Sequence, residues 1–181
     1  MLIDAGLACL ARGGIQAFTI DNICRESGAS RGLVAFHFGS KDGLLAEVSA
    51  AAYRNFLSIL MPEEATDLSS LINSAFSREF YQRDPLNIWL ALWGEIAVNP
   101  TLRETHRAHY TTLLTRIEAA IAAHAREKGL SIDPTSLALP VLALIDGLWL
   151  EAQIDPERLS PDRARAAAIA LLTHALGPLD P

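Results

Sequence analysis

The sequence has few cysteines, no excess of basic residues and no long uninterrupted apolar run. Its two cysteines, Cys9 and Cys24, fall at apolar helical positions, which favours reduced core thiols over a disulfide or a redox switch. No apolar run reaches the roughly 18 residues that a membrane span needs. No basic stretch precedes the apolar start at Leu2, so we expect no secretion signal. These absences predict a cytoplasmic protein without a membrane partner.

The net charge of −6 counts against a protein that coats nucleic acid non-specifically, because that mode of binding requires clustered lysine and arginine. A small DNA-reading segment on an acidic body is still compatible with this charge. Residues 1–50 hold four basic and five acidic residues, which gives a local charge of −1. Any DNA contact must therefore come from a few well-placed side chains.

Catalytic and cofactor-binding signatures are also missing from the sequence. It contains no nucleophile elbow, no HExxH motif and no phosphate-cradling glycine loop. His106 and His109 are three residues apart and could share a metal, but no clear third ligand stands nearby. We therefore expect a protein that is not an enzyme and that has no cofactor and no metal site.

The sequence lacks the alternation and turn dipeptides of β-strands, and a helix-start pattern recurs instead. Several polar side chains stand where they could cap a helix, some of them directly before a proline that suits the first helical position. These residues are Thr19, Ser30, Ser40, Asp84, Asn99, Asp133 and Ser160. They predict an all-α protein of nine helices, at about 1–12, 20–27, 31–37, 41–60, 67–82, 85–98, 100–128, 134–154 and 161–176.

The strongest functional signal lies in residues 19–45, TIDNICRESGASRGLVAFHFGSKDGLL. Two short helices joined by a turn that contains Gly28 predict a helix-turn-helix, whose second helix enters the major groove of DNA. Arg31 is the strong donor at the start of that helix, and Leu33 could contact a thymine methyl. Lys41 and the N-terminus of the next helix suit a phosphate. The predicted DNA-binding residues are Thr19, Ser30, Arg31, Gly32, Leu33, Phe36, His37 and Lys41.

This segment resembles the helix-turn-helix of the tetracycline-repressor (TetR) family, whose pattern is AxxAGVSxGxLYxHF followed by SKxxLL. The residues that match in register are Gly28, Ser30, Gly32, His37, Phe38, Ser40, Lys41, Leu44 and Leu45. Ala35 stands where the family usually has an aromatic phosphate contact. The resemblance implies a TetR-like fold and a repressor that binds a palindromic operator as a dimer and is released by a small molecule.

The start of the sequence also departs from the family pattern. Family members usually carry a polar, basic arm before the first helix, whereas this sequence opens with the apolar Leu2-Ile3. Either the true start lies upstream or the arm is absent. An absent arm would explain the local charge of −1 and would weaken DNA affinity.

The C-terminal part resembles the choline-responsive, betaine-pathway (BetI-like) branch of the same family. The likeness lies in Trp89–Glu95, NPTLRETHRAHY and LIDGLWLEAQIDPERLSP, and the branch also has a small residue at the position of Ala35. It implies that the effector is a choline-like cation. We expect a DNA-binding domain over 1–45, a linking helix at about 41–60 and a ligand-binding and dimerisation domain over 46–181, with the chain break near Pro62-Glu63-Glu64.

Aromatic residues mixed with a few polar ones in helices 5 to 8 predict a pocket for a small molecule. Tryptophan faces beside a carboxylate would suit a quaternary ammonium through cation–π attraction. Asp146 lies in an otherwise apolar helix and so requires a structural partner, a dimer contact or a cationic ligand. For each aromatic the alternative is a place in the core. The predicted ligand-binding residues are Phe76, Trp89, Trp93, Tyr110, Asp146 and Trp149.

Helix 8 is apolar nearly all round and helix 9 is rich in alanine, so we expect both to form a four-helix interface in a homodimer. Two other functions fit the same sequence. One is a repressor of the same fold that senses an apolar or aromatic compound. The other is a dimeric ligand-binding or adaptor protein that has lost its DNA affinity.

Overall fold

The computed structural model describes residues 1–62, 67–77, 79–81 and 83–179, and for Arg83 and Asp84 the backbone alone. Within these residues the chain forms nine α-helices and no strand, which confirms the predicted fold class. The helices are α1 Leu2–Ala17, α2 Ile20–Ser27, α3 Arg31–Phe38, α4 Lys41–Leu60, α5 Leu68–Ala75, α6 Arg83–Val98, α7 Pro100–Lys128, α8 Pro134–Ile154 and α9 Pro161–Leu176. All but α1 and α5 agree closely with the predicted bounds.

Helix α1 extends beyond its predicted end because a kink joins two helical pieces. Gly13 and Gly14 both have non-helical backbone angles, and Gly14 has a φ of 58°, in the left-handed region that glycine adopts without steric cost. The first piece therefore ends where the sequence predicted. A short second piece then carries the chain to Ala17.

Helix α5 ends at Ala75, well before the predicted end near residue 82. The Phe80 amide donates to the carbonyl of Ser77 at 3.1 Å and to its hydroxyl at 3.4 Å. Serine side chains compete with the helix for backbone hydrogen bonds in this way, and a turn replaces the last predicted helical turns. The chain break was predicted near Pro62-Glu63-Glu64. Glu63 and Glu64 lie outside the part of the chain that the structure describes.

Side-chain caps begin most of these helices. Six of the predicted capping side chains accept a backbone N–H from the first turn that follows, at 3.0–3.3 Å. They are Thr19, Ser30, Ser40, Asn99, Asp133 and Ser160. Each cap satisfies a donor that the helix cannot pair internally and is worth about 1 kcal/mol. The predicted cap at Asp84 concerns a side chain that is not described.

Packing divides the chain into two compact units. Unit 1 comprises Met1–Phe56 and Arg83–His109. Within it α1 packs against α2 and α6, and the Asn87 side chain donates to the Ala11 carbonyl at 2.6 Å. Its innermost side chains are Leu10, Phe18, Ile23, Leu44, Leu45 and Leu92. This core supports the helix-turn-helix segment.

Unit 2 comprises Leu57–Gln82 and Tyr110–Pro181. Helix α9 packs against α5 and α8, and His124 Nε2 lies 3.0 Å from the Leu176 carbonyl oxygen. Helix α8 contributes Leu142, Ile145 and Trp149 to the buried core. By length and composition α8 could also cross a membrane, although a core helix of a soluble protein meets the same criteria. The sequence analysis missed this property because Asp146 interrupts the apolar run.

Candidate functional site

The inner faces of α2 and α3 are buried against unit 1. Gly28 has a φ of 69° and ends α2 in the left-handed conformation, so the chain turns and Ser30 starts α3 two residues later. Ile23 of α2 and Val34 of α3 are buried. Because these two residues hold α2 and α3 on the core, the outward face of α3 is set by packing.

All eight predicted DNA-binding residues are exposed to solvent. Leu33, Phe36 and His37 share one face of α3 at steps of three and four, and Phe36 is 83% exposed. A phenylalanine this exposed contributes little to the stability of its own unit. With the exposed Leu33 on the same face it makes an apolar patch, and contiguous apolar patches mark interaction surfaces. Ala35, where the family has an aromatic residue, is exposed beside it.

The two acidic residues of α2 contact basic residues on the flanking helices. Glu26 Oε2 lies 2.5 Å from Arg12 Nη2 of α1, and Asp21 contacts Arg31 of α3. The Arg12 guanidinium lowers the pKa of the Glu26 carboxyl, and Glu26 raises the pKa of Arg12. Two of the acidic residues behind the local charge of −1 are thus paired with neighbouring bases. No local spacing indicates either pair, because each joins residues ten or more positions apart.

Unit 1 also contains an aromatic cluster around Tyr53. Its ring lies 4.8 Å from Trp89 in a T-shaped contact and 5.0 Å from His109 in a stacked one. Phe56 makes a T-shaped contact with Trp89 at 5.4 Å, and Trp93 lies 6.2 Å from Trp89. Trp89 is buried, whereas Trp93 is partly open to solvent. We call Tyr53, Phe56, Trp89, Trp93 and His109 the aromatic cluster.

Tyr53 and Phe56 were not predicted as neighbours of the two tryptophans. Both lie on α4, which was treated only as a linker, although their spacing of three places them on one helical face. The Tyr53 hydroxyl also contacts Nδ1 of His106. Burial lowers the pKa of His106 and of His109, and Arg54 lowers that of His109 further. Among the described residues no three potential ligands come together to hold a metal.

The other four predicted ligand-binding residues belong to unit 2. Phe76 stacks on Tyr81 at 6.2 Å, and Trp149 makes a T-shaped contact with Phe80 at 6.0 Å. The Trp149 indole donates to the Phe80 carbonyl at 2.9 Å, which ties α8 to the turn after α5. Burial raises the pKa of Tyr81, and its buried hydroxyl has no hydrogen-bond partner within the described part of the chain. Tyr81 is a further candidate for the ligand site, although it is not among the six predicted ligand-binding residues.

Asp146 is an ionisable residue in the middle of the largely apolar helix α8. Burial raises the pKa of its carboxyl to about 6. Burial also raises the pKa of Tyr110, and the negative charge of Asp146 adds to that shift. A carboxyl with such a pKa is close to half protonated near pH 6, so its charge depends on small changes around it.

Comparison with known proteins gives one match for the N-terminal part of the chain and another for the C-terminal part. Residues 2–48 match the family described as bacterial regulatory proteins of the tetR family, and residues 64–177 match the BetI-type transcriptional repressor C-terminal family. The HTH-type transcriptional regulator BetI 1 of Chromohalobacter salexigens is 29% identical, over 92% of this chain and 84% of that protein. A solved transcriptional regulator from Pseudomonas aeruginosa PAO1 is 30% identical with a TM-score of 0.85, over 96% of this chain and 88% of that one.

A third similar protein has been solved with a bound small molecule. It is a transcriptional regulator from Saccharomonospora viridis in complex with choline, with a TM-score of 0.76 and 23% identity over 96% of this chain and 94% of that one. At this identity the likeness shows a shared fold. Regulators of the matched family bind DNA operators, commonly as dimers, and respond to small-molecule effectors. The chain therefore belongs to the TetR family of transcriptional regulators, with a C-terminal part of the BetI type.

Proposed function

We propose that this chain is a repressor that reads a palindromic operator with α3 and leaves it when a small molecule binds. The observation that carries this proposal is the outward face of α3, which presents Arg31, Leu33 and Phe36 to solvent while Val34 anchors the helix. Arginine at the start of a recognition helix can make two hydrogen bonds to guanine, and apolar side chains can contact thymine methyl groups.

The residues around this face have distinct roles in the proposal. A Cβ atom added at Gly32 would meet no atom closer than the Ser30 hydroxyl at 3.8 Å. Packing within the chain thus does not require glycine there, whereas close approach to DNA would. Thr19, His37 and Lys41 are exposed near the ends of α2, α3 and α4, where phosphate contacts fix the register of a helix-turn-helix.

The substitution Arg31→Ala tests whether Arg31 is the base reader, that is, the side chain through which α3 recognises a base pair. An operator is first selected from random duplexes with the wild-type protein, and mobility shifts then measure affinity for it and for its single-base-pair variants. We expect a loss of about 1–3 kcal/mol and a relaxed preference at one base pair in each half-site. Arg25→Ala is the matched control, because Arg25 is an exposed arginine of the neighbouring α2. An unchanged preference in Arg31→Ala would show that α3 does not read DNA through this residue.

We also propose that α8 and α9 form the dimer interface. The exposed residues Leu139, Ala143, Gly147 and Ile154 lie along one side of α8, at steps of four, four and seven. Leu139 is 52% exposed, Ile154 is 61% exposed and Leu171 of α9 is 59% exposed. Large apolar side chains beside alanine and glycine suit the close packing of two helices against two from a second copy. Such a dimer would set two copies of α3 about one DNA turn, roughly 34–36 Å, apart.

For the effector we propose a choline-like cation. Within unit 1, the aromatic cluster offers ring faces for cation–π contacts with such a ligand. Within unit 2, Asp146 and Tyr110 are a separate candidate, with a carboxyl and a hydroxyl for the same class of ligand. The choline complex of the Saccharomonospora viridis regulator supports this class of ligand. An apolar or aromatic effector is the second candidate, supported by the buried Phe76 and Trp149. Quenching of tryptophan fluorescence by choline, compared with a panel of neutral aromatic compounds, separates the two.

Helix α4 gives a route from effector to operator. It carries Lys41 at its start and Tyr53 and Phe56 of the aromatic cluster further along. If the protein has two conformations that differ in the placement of α4, a ligand that binds one of them more tightly shifts the population toward that conformation. Trp93→Ala should spare operator binding and blunt the release by choline, which a titration of ligand into the operator complex measures. Release with wild-type dose dependence would exclude Trp93 from the site.

The proposal assigns DNA binding to residues 1–45 and ligand binding with dimerisation to residues 46–181, in a cytoplasmic protein. The packing units do not coincide with this division of roles, since α6 and the start of α7 belong to unit 1. A dimeric ligand-binding or adaptor protein without DNA affinity is the competing function. Failure to select any duplex from the random pool, with choline binding intact, would favour it.

A further inference from the structure

The contact between Asp21 and Arg31 bears directly on the proposed base reader. Asp21 lies in the first turn of α2, after the Thr19 cap, where the helix dipole stabilises a carboxylate. Arg31 is the first residue of α3. Its Nη2 contacts Oδ1 of Asp21 across the helix-turn-helix, and the Arg31 side chain is 73% exposed.

An exposed arginine without such a contact would sample many rotamers. Fixing it upon binding costs side-chain entropy. A partner that already restricts the side chain reduces this cost at the moment of binding. Asp21 can serve as that partner because the buried Ile23, two residues away, holds α2 on the core.

We infer that Asp21 is a positioning residue that directs the Arg31 guanidinium toward a base edge rather than a phosphate. This inference rests on the proposed function. A guanidinium has five N–H donors, so it can keep the carboxylate and still donate to O6 and N7 of guanine. The negative charge of Asp21 repels phosphates at short range, which disfavours the alternative in which Arg31 binds the DNA backbone. Asp21 therefore favours specific over non-specific contacts.

The chain offers a matched control for this inference. Glu26 lies on the same helix, carries the same charge and contacts Arg12 of α1, so it does not hold the reader. Asp21→Asn and Glu26→Gln each remove one negative charge with little change in shape. A purely electrostatic effect on DNA affinity would be similar in both variants, whereas a positioning effect is confined to Asp21.

The experiment measures dissociation constants over a range of salt concentrations for three duplexes. They are the selected operator, the operator changed at the base pair that depends on Arg31, and an unrelated sequence. For Asp21→Asn we expect discrimination between the first two to fall about three- to tenfold. We also expect this variant to bind the unrelated duplex more tightly. Its plot of log affinity against log salt concentration should be steeper by about one released counterion. For Glu26→Gln we expect discrimination to stay at the wild-type value.

The outcomes separate this inference from the proposed function. Suppose that Arg31→Ala relaxes the preference at one base pair while Asp21→Asn leaves discrimination unchanged. Asp21 then only weakens DNA binding through its charge, and the positioning role is overturned. If Arg31→Ala relaxes the preference at no base pair, the proposal that Arg31 recognises a base is itself wrong. Circular dichroism and thermal unfolding verify folding in each variant. Asp21→Ser is the second variant if Asp21→Asn does not fold, because it also removes the carboxylate that contacts Arg31.

Discussion

Exposed apolar residues have different surroundings in the two packing units. In unit 1, Leu33 and Phe36 stand on a short helix next to the charged pair of Asp21 and Arg31. In unit 2, Leu139 and Ile154 stand on a long helix whose exposed positions between them include Ala143 and Gly147. Apolar side chains beside a cation suit the methyl groups and phosphates of DNA, whereas apolar side chains beside small residues suit another helix. The same kind of exposure thus indicates two different partners.

The largest expected effect comes from the α8 face of unit 2. Gly147→Arg places a charge on the proposed dimer face, and we expect monomers together with a loss of operator affinity of more than a hundredfold. Sedimentation equilibrium measures the mass, and mobility shifts measure the affinity. Leu90→Arg is the control, since Leu90 is an exposed leucine of α6 in unit 1. A stable Gly147→Arg dimer would place the interface elsewhere.

A smaller effect is expected where α3 meets α4 in unit 1. A Cβ atom added at Gly43 would lie 2.1 Å from the Phe38 carbonyl oxygen, so Gly43→Ala must displace the backbone that carries the reader. We expect a loss of stability of about 1–3 kcal/mol, measured by urea unfolding, and weaker operator binding. Gly94→Ala is the control, because nothing lies within 4 Å of its added Cβ. There alanine should stabilise α6 by up to about 1 kcal/mol.

Asp146 gives a pH-dependent test in unit 2. Its pKa of about 6 lies above that of an ordinary aspartate, near 3.9, so the folded state holds the proton more strongly than the unfolded state. The wild type should therefore lose stability as pH rises from about 4 to 6, by at most about 3 kcal/mol. Asp146→Asn should be more stable than the wild type at pH 7.5, with the difference vanishing toward pH 4. A difference that is constant across this range would contradict the burial of the carboxyl.

The smallest expected effect concerns Phe36. Phe36→Ala removes an 83% exposed ring, so thermal unfolding should be nearly unchanged. Operator affinity should fall about three- to tenfold if the ring contacts thymine methyl groups. Leu90→Ala removes an exposed apolar side chain of α6 and should leave operator affinity unaltered. Equal affinities for Phe36→Ala and the wild type would remove Phe36 from the DNA contact surface.

The parts of the fold that depend on neighbouring residues could be predicted from the sequence. Capping by Thr19, Ser30 and Ser160 involves atoms two or three residues apart, and these signals located the helix starts. The predicted end of α5 was wrong because the hydrogen bonds of a single serine, Ser77, favour a turn over a helix. Propensity patterns average over such single hydrogen bonds.

Contacts between distant residues were beyond the same reasoning. The meeting of Tyr53 with Trp89 depends on how α4 and α6 pack in unit 1, and no local spacing contains that information. The pairing of Asp21 with Arg31 depends on the angle between α2 and α3. Family resemblance supplied the helix-turn-helix and the regulator class. It did not supply the side chains that surround each predicted residue, so their roles remain predictions.

The contact between Asp21 and Arg31 also constrains how this regulator could be retargeted to a new operator. Replacing Arg31 with glutamine to favour adenine would leave the Asp21 carboxylate uncompensated beside the phosphates of the DNA. The repulsion between this carboxylate and the phosphates, which Arg31 neutralises in the present protein, would then weaken binding of the glutamine variant. Variants designed to bind a new operator should therefore substitute Asp21 and Arg31 together.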